Sequence, residues 1–168
     1  RSVFEFLSDQ YTVRNLFSYR ETGIQLTWDR DKEMVSFFRQ KGICWSEFQR
    51  DGIRRGIKNR KNWNRNWYVK MREPVFENRF SISDFEPVEH PFVLPDVLRN
   101  RLDEYPEVFQ PAGESNAWRY LKSFADQRGK NYQKHISKPA ESRISCSRLS
   151  PYLAWGNLSV KQAYQYLK

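Results

Sequence analysis

Residues 12–48 alternate between strand-like and helix-like patterns, and this alternation constrains the fold more than any other feature of the sequence. The stretch TVRNLFSY, residues 12–19, is rich in β-formers, and ICWSEF, residues 43–48, predicts a second strand. Between them, TWDRDKEMVSFFRQKG predicts a helix that begins at an N-cap, Thr27, and ends in basic residues and Gly42. Two strands joined by a helix imply a parallel crossover, so this region is predicted to be α/β.

Two strands are too few for an α/β sheet by themselves. The opening residues, RSVFEFLSDQY, have the pattern of the end of a preceding helix. We therefore expect this region to be the remnant of a larger α/β domain, whose other strands belong upstream of residue 1.

The next segment, residues 50–73, interleaves Arg and Lys with Trp63, Trp67 and Tyr68. Basic side chains that neutralise phosphates, beside rings that stack on bases, are typical of single-stranded nucleic-acid binders. Alternatively, Trp63, Trp67 and Met71 follow the i, i+4, i+8 spacing of a core-facing helical stripe, which is the more common use of that spacing. The basic side chains would then form a solvated face: Arg54, Arg55, Lys58, Arg60, Lys61 and Arg65.

Composition favours an anionic partner and excludes several classes of protein. The net charge of +9 and the pI near 9.7 favour nucleic acid or a phosphate-bearing cofactor as a partner. Two cysteines are too few for a disulfide framework, and His90 and His135 do not complete a metal site. No apolar run reaches the roughly 18 residues of a membrane span, and no signal peptide opens the chain. We expect a soluble protein of the reducing intracellular compartment, in the cytoplasm.

Residues 73–111 lose regular periodicity because prolines interrupt a series of phenylalanines. This composition predicts a linker. Its aromatic content is higher than in disordered segments, so we expect an extended strap packed on the protein surface. Only residues 95–102 have a helical pattern.

The chain after the linker has helical periodicity throughout. The stretch GESNAWRYLKSFADQRGKNY predicts an amphipathic helix with Ser115 as its N-cap and Gly129 as its end. A short helix containing SPYLAW is predicted to be capped by Ser147. A final helix begins at Ser159, which forms the capping-box pattern with Gln162.

The stretch SCSRLSPYLAWGNLS, residues 145–159, places these helix starts close together beside Arg148. A helix N-terminus has free N–H donors and the positive end of the helix dipole, and a guanidinium group adds a forked donor. This combination suits a pyrophosphate. The alternative is that the serines act only as caps, and spacing alone does not decide between the two.

Five motifs follow one another along the chain: ETGIQLTWDRDK, WSEFQRDGIRRG, NWNRNWYVKM, GESNAWRYLKSF and SRLSPYLAWGNLSVKQAY. In this order they resemble the DNA photolyase and cryptochrome family, nearer to its bacterial photolyase-like members than to animal cryptochromes. The first three resemble the end of that family's N-terminal antenna domain, and the last two resemble the start of its flavin-binding domain. The resemblance extends from about residue 12 to the last residue. It implies the end of a Rossmann-like α/β antenna domain (1–72), an interdomain linker (73–111) and the start of a helical FAD-binding domain (112–168), mostly helical overall.

The resemblance also implies FAD as the cofactor and assigns residues to it. The family has a tyrosine that contacts the flavin nucleotide and a phosphate-binding turn written Thr-Ser-x-Leu-Ser. The residues here that match these positions are Tyr132, Ser147, Arg148, Leu149 and Ser150. Cys146 replaces the threonine, and its thiol is a weaker donor than a hydroxyl. Glu21 falls where some members contact a second, antenna chromophore of the folate or deazaflavin type.

The implied activity is a light-dependent lyase in which excited, reduced FAD repairs ultraviolet pyrimidine lesions by electron transfer, with damaged DNA as the partner. In the family the lesion cavity follows the region matched here, so no catalytic residue is assigned and the chain is expected to be an inactive part of a longer protein. Candidate DNA contacts are Arg54, Arg55 and Lys58. Two alternatives stay open: a cryptochrome-type blue-light sensor, and a basic nucleic-acid-binding module without flavin.

Overall fold

The computed structural model describes residues 1–104 and 106–168, which are mostly helical with one small parallel sheet. The chain divides into two compact units, Arg1–Tyr68 and Val69–Lys168. Its first elements are α1 (Ser2–Gln10), β1 (Asn15–Tyr19), α2 (Gln25–Lys41), β2 (Cys44–Phe48) and α3 (Trp63–Arg72). Helices follow: α4 (Asp96–Asp103), α5 (Glu114–Asp126), α6 (Tyr132–His135), α7 (Pro139–Ser145), α8 (Ser150–Ala154) and α9 (Val160–Leu167).

The two strands pair in parallel, from Asn15 beside Cys44 to Tyr19 beside Phe48. Helix α2 connects them, so the predicted order of strand, helix and parallel strand is confirmed. Because side chains alternate across a strand, Leu16 faces the core while its neighbours on β1 are exposed.

The core of the first unit lies between α2 and the sheet. Met34, Phe37, Phe38 and Ile43 are buried there. The Phe38 ring meets the Phe4 ring edge-on at 4.9 Å and the Trp45 ring at 5.2 Å, an arrangement that aromatic pairs prefer. Through these contacts α1 and β2 pack on the same face of α2.

The end of α2 agrees with the sequence and its start does not. Gly42 adopts the left-handed conformation, with φ of 71°, and closes the helix. The N-cap is Ile24, so the predicted cap, Thr27, is wrong. The Thr27 hydroxyl donates to the Ile24 carbonyl at 2.8 Å, and the helix therefore begins before it.

The core of the second unit joins α5, α8 and α9. Its buried residues are Ala117, Leu121, Leu149, Tyr152, Leu158 and Ala163. Met71 of α3 and Leu121 of α5 have no exposed surface. The stripe predicted on α3 is therefore buried at Met71, whereas Trp63 and Trp67 are half-buried.

Two of the three predicted N-caps in the helical region are wrong. Helix α5 is preceded by Gly113, which has φ of 100°, and not by Ser115. Helix α8 is preceded by Leu149 and not by Ser147, because the left-handed backbone of Arg148 separates Ser147 from the helix. The third prediction is confirmed: Ser159 Oγ accepts from the Gln162 amide at 3.0 Å, and Gln162 Oε1 accepts from the Ser159 amide at 2.8 Å.

Gly129 does not end α5, which stops at Asp126. It lies instead in a 3-10 turn, Arg128–Asn131. A Cβ at this position would lie 2.8 Å from the carbonyl oxygen of Phe124. The glycine is therefore required for close packing of the turn against the end of α5.

The linker is more exposed than its composition predicts. Phe76, Phe80 and Phe85 are 65–88% exposed, so the expectation that they pack on the protein surface is wrong. Phe80 and Phe85 contact each other instead, with ring centroids 5.9 Å apart. The predicted helix in this region is present as α4. In the part of the chain that the structure describes, no helix is both long and apolar enough to span a membrane.

Candidate functional site

The candidate cofactor turn, residues 146–149, connects α7 to α8. Arg148 has φ of 59° and is one of two non-glycine residues with positive φ in the described ranges. A side chain in this conformation is strained by about 1 kcal/mol or more, so surrounding contacts must hold it. Two such sets of contacts are present, from Arg128 and from Gln110.

Arg128 binds the turn from the end of α5. Its Nη1 donates to the carbonyl oxygens of Ile144 and Cys146, and its Nη2 donates to the carbonyls of Tyr120 and Ser147. Its Nε completes the set by donating to the Ser123 hydroxyl at 2.9 Å. All five N–H bonds of the guanidinium group therefore have protein acceptors, and Arg128 has no donor left for a ligand.

Gln110, which precedes Arg148 by 38 residues, also binds the turn. Its Nε2 donates to the Arg148 carbonyl at 2.8 Å, and its Oε1 accepts from Arg148 Nε at 3.0 Å. This reciprocal pair holds both the backbone and the side chain of Arg148. It uses only Nε, so neither Nη group of Arg148 has a protein partner among the described residues.

The base of the turn is anchored in the core. Leu149 is buried with Tyr152 against α5. The Tyr152 hydroxyl donates to the carbonyl of Pro111 at 2.8 Å, which ties α8 to the start of the helical region. Leu149 therefore serves packing, whereas Arg148 beside it is half-buried and reaches the surface.

The other predicted cofactor residues differ in position. Ser147 is half-buried and Ser150, at the first position of α8, is exposed, so both adjoin Arg148. Tyr132 lies at the start of α6 and packs edge-on against Phe124, with ring centroids 6.1 Å apart. Within residues 1–104 and 106–168 no hydrogen bond joins Tyr132 to the turn. Four of the five residues therefore lie together because they are consecutive, and the described hydrogen bonds do not link Tyr132 to them.

The electrostatics of the turn favour an anion. Burial lowers the pKa of the Arg128 guanidinium below its ordinary value, and the nearby positive charge of Arg148 lowers it further, while Tyr120 acts in the opposite direction. Both arginines remain charged at neutral pH. Two neighbouring positive charges repel each other, so a negative group bound at Arg148 would relieve that repulsion.

A histidine and a serine link the preceding helices. His135 Nδ1 lies 2.7 Å from the hydroxyl of Ser145, which is buried. The contact joins the end of α6 to the end of α7, immediately before Cys146. The sequence motifs did not indicate this contact, which positions the start of the turn.

The candidate antenna residue, Glu21, lies in the first unit beside a cavity of about 140 Å³. The lining residues follow the carboxyl ends of both strands: Tyr19, Arg20, Glu21, Thr22, Gln49, Arg50, Asp51 and Ile53. In open parallel sheets, ligands bind at this edge. One carboxylate oxygen of Glu21 accepts from the Gly23 amide at 2.6 Å, and the other lies 3.5 Å from Arg30, so this side chain is already engaged within the protein.

The candidate DNA contacts lie in an irregular segment between β2 and α3. Arg54, Arg55 and Lys58 are all exposed. Arg55 lies over the Trp28 ring at 5.6 Å, a cation–π contact that engages its guanidinium group. Arg54 and Lys58 form no ion pair within the described residues.

Sequence reasoning missed Arg128 and Gln110, the two residues that shape the turn. Both are distant in sequence from residues 146–149, and Arg128 is the first residue of the 3-10 turn after α5, where no recognisable motif marks it. The only available signal was a basic residue immediately before Gly129, the predicted helix end. Comparisons with protein-family models, curated proteins and solved structures find no match for this chain.

Proposed function

We propose that the chain is part of a photolyase-like flavoprotein, in which light-excited reduced FAD repairs ultraviolet pyrimidine lesions in DNA by electron transfer. In this proposal residues 112–168 begin the FAD-binding domain, and residues 1–72 are the remnant of an α/β antenna domain. The order of motifs along the chain supports the assignment. The geometry of the turn at residues 146–149 supports the proposed phosphate binding.

The observation that carries the proposal is that Gln110 fixes the side chain of Arg148 through its Nε. Arg128 and Gln110 hold the turn in its strained conformation, while the Nη groups of Arg148 have no acceptor among the residues that the structure describes. A donor that is fixed before binding loses little entropy when a ligand arrives. A pyrophosphate, with oxygens spaced for a forked donor, fits this arrangement.

The residues around Arg148 define the proposed roles. Arg148 binds a phosphate oxygen pair, and the hydroxyls of Ser147 and Ser150 provide additional donors beside it. Cys146 contributes its backbone, since its carbonyl accepts from Arg128. FAD, when bound, supplies the electron-transfer chemistry, and the side chains described here only bind and orient its phosphates.

The test uses the phosphate part of the cofactor. We expect ADP and FAD to shift the amide NMR signals of residues 146–150 in the ¹⁵N-labelled chain, and riboflavin, which lacks phosphates, to leave them unchanged. Binding should be weak and the purified protein colourless, because small-molecule sites enclose most of their ligand and a half-buried turn by itself does not. Riboflavin binding as tight as FAD binding would contradict the phosphate assignment.

Arg148→Gly is the decisive variant, because glycine adopts the left-handed backbone without strain and removes only the side chain. We expect it to weaken ADP binding about tenfold or more, the value of one hydrogen bond to a charged group. Arg143→Gln is the matched control, since Arg143 is exposed on α7 and has no assigned contact with the ligand. Equal losses in both variants would mean that only net charge matters, and the proposed site would be wrong.

A further inference from the structure

A cluster of exposed cations lies in the first unit, whereas the turn at residues 146–149 belongs to the second. We call it the basic patch and define it as Arg54, Lys58, Arg60, Lys61 and Arg65. All five are exposed, and none forms an ion pair within the residues that the structure describes. They occupy twelve consecutive positions that contain no Asp or Glu.

Five basic residues elsewhere in the same unit form ion pairs with carboxylates. Arg1 pairs with Glu5 at 2.8 Å, Arg30 with Asp31 at 2.7 Å and Lys32 with Asp29 at 3.1 Å. Further pairs join Lys41 to Asp9 and Arg50 to Asp51. Five basic residues of the first unit thus have a carboxylate partner, whereas the segment of the basic patch contains no carboxylate, which concentrates positive charge in that segment.

The segment that carries the patch has defined turns. Gly56 and Asn62 have positive φ, and the Asn59 side chain accepts from the Lys61 amide at 2.9 Å. At its end, the Trp63 amide donates to the Arg60 carbonyl at 3.0 Å and starts α3. Even fully extended, twelve residues span about 40 Å, so the five cations lie within reach of about one turn of a DNA duplex.

The aromatic rings near the patch are engaged in protein contacts. Trp63 and Trp67 are half-buried, and the Tyr68 ring meets the Trp67 ring edge-on at 5.3 Å. Arg55 covers the Trp28 ring. Base stacking is the source of preference for single strands in nucleic-acid binders, and it requires free ring faces. The patch therefore presents charge without a stacking platform.

We propose that the basic patch binds the phosphate backbone of nucleic acid, without reading base sequence and without preference for single strands or for damaged bases. The five side chains neutralise phosphates, and their affinity comes from the release of counterions. The surface acts without flavin and lies in a different unit from the turn at residues 146–149. A DNA titration therefore tests this proposal, and the titration with ADP and FAD tests the proposed flavin function independently.

The test measures fluorescence anisotropy of three labelled DNAs: a 20-base-pair duplex, the same duplex with one thymine dimer, and the corresponding single strand. The triple variant Arg54→Gln, Lys58→Gln, Lys61→Gln removes three charges from the patch. We expect affinity for all three DNAs to fall about tenfold or more at 50 mM salt. For the duplex, the slope of log affinity against log salt should become shallower by about 2.7, or about 0.9 for each lost phosphate contact.

The matched control is Lys32→Gln, Arg39→Gln, Lys41→Gln, which removes the same charge from α2 in the same unit. We expect it to retain affinity within about twofold. Equal losses in the two triple variants would overturn the proposal, because net charge alone would explain them. Unchanged binding in the patch variant would overturn it as well. Vesicles with anionic lipid that bind as tightly as DNA, with the same dependence on the patch, would assign the surface to membranes instead.

Discussion

Arg128 ties the end of α5 to the turn after α7 with a single side chain. Lysine has the same charge but lacks the planar fork, so it can satisfy at most part of the set of five acceptors. We expect Arg128→Lys to lower the free energy of unfolding by roughly 2–4 kcal/mol, because several half-buried carbonyl groups lose their donors. Urea denaturation measures the loss. Arg143→Lys, at an exposed position of α7, is the control and should change stability little.

Arg128 and Arg148 have different roles in this turn. Arg128 uses its donors within the protein, whereas the Nη donors of Arg148 have no partner in the described part of the chain, although both side chains lie beside the Cys146–Leu149 backbone. We expect Arg128→Lys to disturb ligand binding only through the structure of the turn. The amide signals throughout residues 146–150 should therefore move in the free Arg128 variant. In free Arg148→Gly the changes should stay close to position 148 and its Gln110 contact, and the response to ADP should be lost.

At the scale of elements, one serine that the sequence predicts to be an N-cap acts as one, and another does not. Ser159→Ala removes the hydroxyl that accepts from the Gln162 amide and should cost about 1 kcal/mol of stability. Ser115→Ala is the matched comparison, because Ser115 fits a cap pattern in the sequence but lies inside α5, after its N-cap at Gly113. We expect that second variant to change stability by no more than a few tenths of a kcal/mol, as measured by urea denaturation. A cost equal to that of Ser159→Ala would contradict the observed start of α5.

Glu73 connects the end of α3 to α9. Its carboxylate lies 2.6 Å from Lys70 Nζ and 3.2 Å from Lys161 Nζ, and these hydrogen bonds, first that of Lys70, hold the pKa of Glu73 below its usual range. A pKa lower in the folded than in the unfolded chain gives stability that is present above about pH 4.3 and is lost as pH falls through the folded pKa. The Glu73 side chain is partly exposed, so we expect its contribution to the pH dependence of folding stability to be small.

The measurement is an NMR titration of the Glu73 carboxyl group in the native chain and in Lys161→Met. Removing Lys161 should raise the titration midpoint toward the ordinary value for glutamate, with Lys70 still in place. Lys122→Met, at an exposed position of α5, is the control for the loss of one charge. A midpoint that is identical in the native chain and in Lys161→Met would mean that the Lys161 contact does not form in solution.

At the scale of the whole molecule, buried contacts are concentrated in two cores, one in each unit. Amide hydrogen exchange should follow this distribution, because exchange by local opening is slowest where burial is greatest. We expect strong protection in α2, β2, α5 and α9 and little protection in residues 74–95. Mass spectrometry of peptic fragments measures the difference. Strong protection around Phe76 and Phe80 would show that the linker packs after all.

Local chemistry accounts for the features that the sequence determined by itself. β-formers, the left-handed capacity of Gly42 and the Ser159–Gln162 capping box act over a few residues, so their outcome depends little on the rest of the chain. The two parallel strands and the helix between them followed from the same short-range patterns. The concentration of positive charge between β2 and α3 was also visible without a structure.

Tertiary structure decided what those patterns could not. Ser147 fits a cap by its neighbours, but Arg128 and Gln110 hold Arg148 in a left-handed conformation that places Leu149 before α8 instead. These donors come from 18 to 38 residues away, and no local pattern encodes them. The engagement of Arg55 with Trp28 likewise depends on a contact across 27 positions. The sequence shows which groups are present, whereas long-range packing decides which of them are already bonded within the protein and which remain free for a partner.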